Sequence, residues 1–147
     1  MLNTLLTPAV IQIVPACEDW REAIALSCQP LLDNGAINPS YVDAIYRSHD
    51  AIGPYYVVGP GIAMPHARPE EGVNKLAVSL TLIREGVVFH SAGNDPVYLL
   101  IVLAATDSNS HIDIISQLAQ LFDTPEDVAA LRRATTVEQI LSVISRY

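Results

Sequence analysis

The run "VYLLIVLAA", Val97 to Ala105, limits the possible folds more than any other stretch of the chain. Nine apolar residues in succession do not fit a strand on a one-sided sheet, where apolar and polar positions alternate. A membrane-spanning helix needs about 20. Apolar throughout, the run is as expected of a central strand covered on both faces, with helices as the cover. "VIQIV" (Val10 to Val14), ended by Pro15, and the alternating "LAVSLTLI" (Leu76 to Ile83) read as further strands. "YYVV" and "GIAM" read as short extended pieces around Gly59-Pro60-Gly61. From Asp19 to Leu32, Trp20, Ile24, Cys28 and Leu31 recur at helical spacing, and "DNG" closes the helix. Asn38 as cap and Pro39 at the first turn open a second helix with Tyr41, Val42, Ile45 and Tyr46 on its apolar stripe.

The last third is helical. "SNSHIDIISQLAQLF" predicts a stripe of Ile112, Ile115, Leu118, Ala119 and Phe122. "TPEDVAALRR" predicts Thr124 as cap with Asp127 in a capping box, and "TTVEQILSVI" repeats the device with Thr135 and Glu138. The expected fold is α/β, a single domain over residues 1–147 with a mixed β-sheet flanked by helices on both faces.

Bulk properties remove several classes of function. Half the residues are apolar and 16% are charged, which argues against disorder. A formal charge of −8 gives no electrostatic footprint for nucleic acid or anionic membrane, although it suits steering toward a basic protein. The first basic residue is Arg21, so the start lacks the charge of a secretory signal, and a soluble cytoplasmic protein is expected. Cys17 and Cys28 have no disulfide or metal-cluster spacing and read as reduced thiols. Neither a Gly-Lys-Ser phosphate loop, a dinucleotide fingerprint nor a serine elbow occurs, so no nucleotide cofactor is expected.

Four histidines carry the remaining chemistry, and two have distinctive settings. His66 follows Pro65 in "GPGIAMPHARPEEG"; if the segment is extended, Arg68 shares its side. A guanidinium beside an imidazole competes with a metal ion but suits a nucleophile that receives phosphate. His111 comes after "DSNS", a set of capping residues, and is expected in the first turn of a helix. There the exposed N–H groups favour an anion, and the dipole favours a neutral imidazole that donates a hydrogen bond. Because it follows the buried strand, His111 belongs at a strand's C-terminal end, where α/β sheets bind ligands. A metal site from Asp107, His111 and Asp113 is disfavoured, since no two stand at i, i+4. His49 and His90 offer no evident partners.

"PGIAMPHARPEEG", with the "SH" that opens a helix after the apolar strand, resembles the enzyme IIA components of the sugar phosphotransferase system, mannitol/fructose type. "GPYYVVGPGIAMPHARPEEG" is most similar to the ascorbate-type and cryptic-mannitol-type branch. The resemblance implies a phosphotransferase in which His66 accepts a phosphoryl group from the histidine-containing phosphocarrier protein. It then passes the group to a cysteine of the cognate enzyme IIB. His111 corresponds to the histidine that hydrogen-bonds the phosphoryl group. Mannitol-like members carry an upstream arginine at a spacing this chain lacks; Arg47 is the nearest, and Arg68 is the alternative for charge compensation. Met64, Ile62 and either Tyr55 or Tyr56 are candidates for an apolar docking rim, with the core as the equal alternative for each. A regulatory domain of the same fold and a metal-dependent hydrolase are the alternative functions, and a homodimer is compatible with the sequence.

Overall fold

The computed structural model describes residues 1–107, 109 and 111–147. Five strands form one mixed sheet: β1 (Ile11–Val14), β2 (Val57–Gly59), β3 (Ile62–Ala63), β4 (Ala77–Val87) and β5 (Val97–Ala104). Their order is β1-β4-β5-β3-β2. β1 runs parallel to β4, β4 antiparallel to β5, and β3 parallel to β5, while β2 folds back antiparallel on β3. Every position of β4 from Ala77 to Ile83 is buried, and so is nearly all of β5, so both faces of the centre are covered. The expected architecture is therefore found.

Two groups of helices supply the cover. α2 (Trp20–Asp33) packs on β4 and β5 and against α3 (Pro39–Ile52). The other group is α1 (Leu2–Leu5), α4 (Ile112–Phe122), α5 (Pro125–Arg133) and α6 (Val137–Ile144), with α5 touching β4 and α6 touching β1. Asp19 caps α2 by accepting the Glu22 N–H at 2.9 Å, and Gly35 ends it at φ 77°. Pro30 lies inside α2, where its ring removes the hydrogen bond normally made to the carbonyl four residues back. That carbonyl belongs to Leu26, and it accepts the Gln12 side-chain amide from β1 at 2.5 Å. A sheet residue thus satisfies the acceptor that the proline left open.

Three local expectations change. In α4 the buried residues are Ile114, Leu118 and Leu121, whereas Ile112 and Ile115 are exposed. The polar residues Asp113, Ser116, Gln117 and Gln120 share one side of this helix, and the apolar arc opposite is wide enough for two stripes of the same period, between which tertiary packing chose. Asp127 is not a capping residue; it is buried and accepts hydrogen bonds from Arg146 and from the Tyr147 hydroxyl, tying down the C-terminus. The cap of α6 is Thr136, which accepts the Gln139 N–H at 3.2 Å, while Gln139 accepts the Thr135 N–H at 2.7 Å. The capping box therefore starts one residue later than expected.

Candidate active site at the C-terminal edge of the sheet

The Pro-His segment is an extension of β3. Ile62 and Ala63 pair with Leu99 and Leu100, and beyond them the Leu103 N–H donates to the Pro65 carbonyl at 3.1 Å. On the other side the Met64 N–H donates to the Tyr56 carbonyl at 2.8 Å. Held between these neighbours, the backbone delivers His66 to the C-terminal end of β5. The chain after β5 leads to His111, seven positions beyond Ala104. The C-terminal edge of this parallel strand pair, the kind of edge where open α/β sheets gather ligand-binding groups, therefore carries His66, and the chain that leaves β5 there continues toward His111.

The His66 ring is half-buried, and its Nδ1 lies 2.7 Å from the Met64 carbonyl oxygen. A carbonyl can only accept, so Nδ1 carries the proton and Nε2 is the lone-pair nitrogen of the neutral ring. Tyr55 meets the imidazole edge-on, with centroids 5.5 Å apart, and its hydroxyl donates to the His66 carbonyl. The next residue is held too: the Ala67 N–H donates to the Tyr41 hydroxyl at 2.9 Å.

Arg68 is exposed and lines a cleft of about 490 Å³ together with Arg47, Ser48, Ala67 and Glu71. Glu71 pairs with Arg47 at 3.1 Å, and Arg68 makes no ion pair among the described residues. The two candidate arginines therefore share one cleft beside the residue that follows His66. The Arg47–Glu71 pair is solvent-exposed and contributes little to stability.

His111 is the N-cap of α4, one position ahead of the first turn in which it was expected, and its carbonyl accepts the Ile115 N–H at 2.9 Å. Its Nδ1 is buried and has no hydrogen-bond partner among the described residues. Of the "DSNS" residues, Asp107 accepts the Asn109 N–H at 2.8 Å, while Ser108 and Ser110 lie outside the described residues.

Of the rim candidates, Tyr55 is half-buried and lies against His66. Ile62 and Tyr56 are core residues and Met64 is half-buried. The exposed apolar side chains that follow His111 in the chain are Ile112 and Ile115, 58% and 37% exposed. Tyr41, expected only as a core residue, also contributes its hydroxyl to the site's backbone. No signal in the sequence marks that role, since the hydroxyl's partners are 26 and 62 residues away.

The chain is similar to known proteins over nearly its whole length. Residues 4–147 match the model of the phosphoenolpyruvate-dependent sugar phosphotransferase system EIIA 2 family. The mannitol-specific cryptic phosphotransferase enzyme IIA component of Escherichia coli K12 is 44% identical over 92% of each chain. The solution structure of the cryptic enzyme IIA from E. coli superposes with a TM-score of 0.90 over 99% of each chain, at 42% identity. The ascorbate-specific EIIA component of E. coli K12 is 38% identical over 92% of this chain and 89% of its own. A complex of mannitol enzyme IIA with phosphorylated enzyme IIB from E. coli superposes with a TM-score of 0.82 at 27% identity, covering 97% of this chain and 100% of that one.

Proposed function

The chain belongs to the EIIA 2 family of the phosphoenolpyruvate-dependent sugar phosphotransferase system, and from that premise we propose that His66 is the residue that carries the phosphoryl group, on Nε2. The observation that supports this is the hydrogen bond from Nδ1 to the Met64 carbonyl, which leaves Nε2 with its lone pair. That lone pair attacks phosphorus on the phosphohistidine of the histidine-containing phosphocarrier protein. The donor's P–N bond breaks, and its electron pair returns to the donor ring. In the phosphorylated state Nδ1–H still donates to Met64, so the positive charge on the ring faces a carbonyl dipole. The thiolate of the cognate enzyme IIB then attacks phosphorus, and the P–Nε2 bond breaks with its pair returning to His66. A loose transition state of this kind asks chiefly for alignment and charge compensation.

His111 donates Nε2–H to a phosphoryl oxygen in this scheme, and Arg68 compensates charge from the neighbouring cleft. Ile112 and Ile115 belong to the face that receives both partners, in brief encounters over a modest interface. The net charge of −8 favours a basic face on the donor. The reaction takes place in the cytoplasm, with an ascorbate- or mannitol-like sugar acid or polyol as the eventual acceptor at the membrane component. Incubation with phosphoenolpyruvate, enzyme I and the phosphocarrier tests the reading by intact mass and NMR. One acid-labile phosphoryl group on Nε2 of His66 is expected, absent from His66→Ala. His111→Ala should accept the group and transfer it poorly, and Arg68→Ala should slow both steps. Wild-type labelling of His66→Ala would refute the assignment.

A further inference from the structure

The Tyr41 ring is fully buried in α3, yet its hydroxyl reaches across to two separate backbone segments. It donates to the Leu103 carbonyl at 2.7 Å, and it accepts the Ala67 N–H at 2.9 Å. The Ala67 carbonyl lies 3.2 Å away, a longer second acceptor for the same proton. Burial pushes the phenol up to about 12, so it stays protonated and keeps both roles. Leu103 is itself joined to the histidine segment, since its N–H donates to Pro65. Pro65 and Ala67 flank His66, so one residue of β5 and one phenol hold the peptide units on either side of it. We propose that Tyr41 is a positioning residue for phosphoryl transfer: its hydroxyl bolts Ala67 to the end of β5 and thereby holds the His66 ring with Nδ1 on Met64 and Nε2 outward. This rests on His66 being the phosphoryl carrier.

Pro65 cannot donate a hydrogen bond, so the backbone around His66 has few ladder bonds of its own to resist rotation. Removing the Tyr41 hydroxyl frees the Ala67 N–H and lets the segment sample orientations in which Nδ1 leaves Met64. Positional tolerance in such reactions is narrow, and a misplacement of about 1 Å can cost on the order of a hundredfold in rate.

The test is Tyr41→Phe beside Tyr56→Phe. Tyr56 is equally buried and its hydroxyl is 2.6 Å from His49 Nδ1, but that hydroxyl does not touch the histidine segment. Both variants lose a buried hydroxyl and both should melt lower. Only Tyr41→Phe should lower kcat for transfer from the phosphocarrier, by about tenfold or more at unchanged KM. In the unphosphorylated protein, 15N NMR should show a mixed His66 tautomer and fast exchange of the Ala67 amide in Tyr41→Phe alone. A retained Nδ1–H tautomer with a protected Ala67 amide, or equal loss of kcat in both variants, would overturn the proposal. The NMR arm needs no phosphoryl donor, so failure of wild-type labelling at His66 would count against the proposed function without obscuring the bolt.

Discussion

Gly72 lies at φ 140°, ψ 32°, at the end of the turn that follows the histidine segment, and it is packed against the start of α3. A Cβ added there would come within 2.6 Å of Ser40 Oγ, 3.1 Å of the Tyr41 amide nitrogen and 3.3 Å of Tyr41 Cβ. Three costs follow for Gly72→Ala. The backbone conformation strains an L-residue by about 1–3 kcal/mol. Ser40 must rotate away from the Glu71 carbonyl that it now bonds at 2.7 Å, an exposed hydrogen bond worth about 0.5–1.5 kcal/mol. The Tyr41 backbone cannot rotate out of the way, so α3 must recede by a few tenths of an ångström. Together these predict a loss of about 2–4 kcal/mol. For a chain of 147 residues the unfolding entropy is about 0.3 kcal/mol/K, so the melting midpoint should fall by about 6–13 °C. Calorimetry reads the midpoint and urea titration the free energy, with m unchanged if the native state stays compact. Because the displaced element carries Tyr41, transfer should slow as well. A midpoint within about 3 °C of wild type would refute the reasoning, since it would mean that the turn adapts without strain.

Two further outcomes follow from buried titratable groups. His49 stacks on Trp20 with centroids 3.6 Å apart, and burial, assisted by Arg21 and opposed by Asp50, holds its pKa below the ordinary 6.5. As the pH drops below that value the unfolded chain takes up a proton before the folded one. The stabilising contribution is therefore complete above about pH 6.5 and declines below it, by up to about 1.4 kcal/mol per pH unit. His49→Phe should lose this acid sensitivity in urea titrations across that range, and an unchanged acid slope would exclude His49 as its source. Burial pushes the Cys28 thiol up to about 12, and burial with Glu22 and Asp19 pushes Cys17 up to about 11. Native protein should alkylate far more slowly than free cysteine near neutral pH, and labelling at the free-thiol rate would contradict both environments.

Much of the candidate site was legible because its signals are local. Pro65 beside His66, and a histidine where a buried strand passes into a helix, are features of neighbouring residues. The ring nitrogen that remains free was not legible. It depends on where the Met64 carbonyl points, which the pairing of β3 with β5 decides. That Glu71 pairs with Arg47 and leaves Arg68 without an ion pair among the described residues has no local signal, since α3 brings Arg47 to the cleft from 24 positions away.

The order of the strands and of the helices from α2 onward, the doubly covered central strand and the candidacy of the two histidines follow from the chain by itself, since periodicity and capping act over a few residues, whereas α1 does not. Which face of α4 turns inward, how the Leu26 carbonyl above Pro30 is satisfied, and why a core tyrosine holds the histidine segment were decided only by the tertiary structure. Two apolar stripes fit one helical period equally well, and a hydrogen bond between residues 62 positions apart has no local trace. Those choices belong to packing.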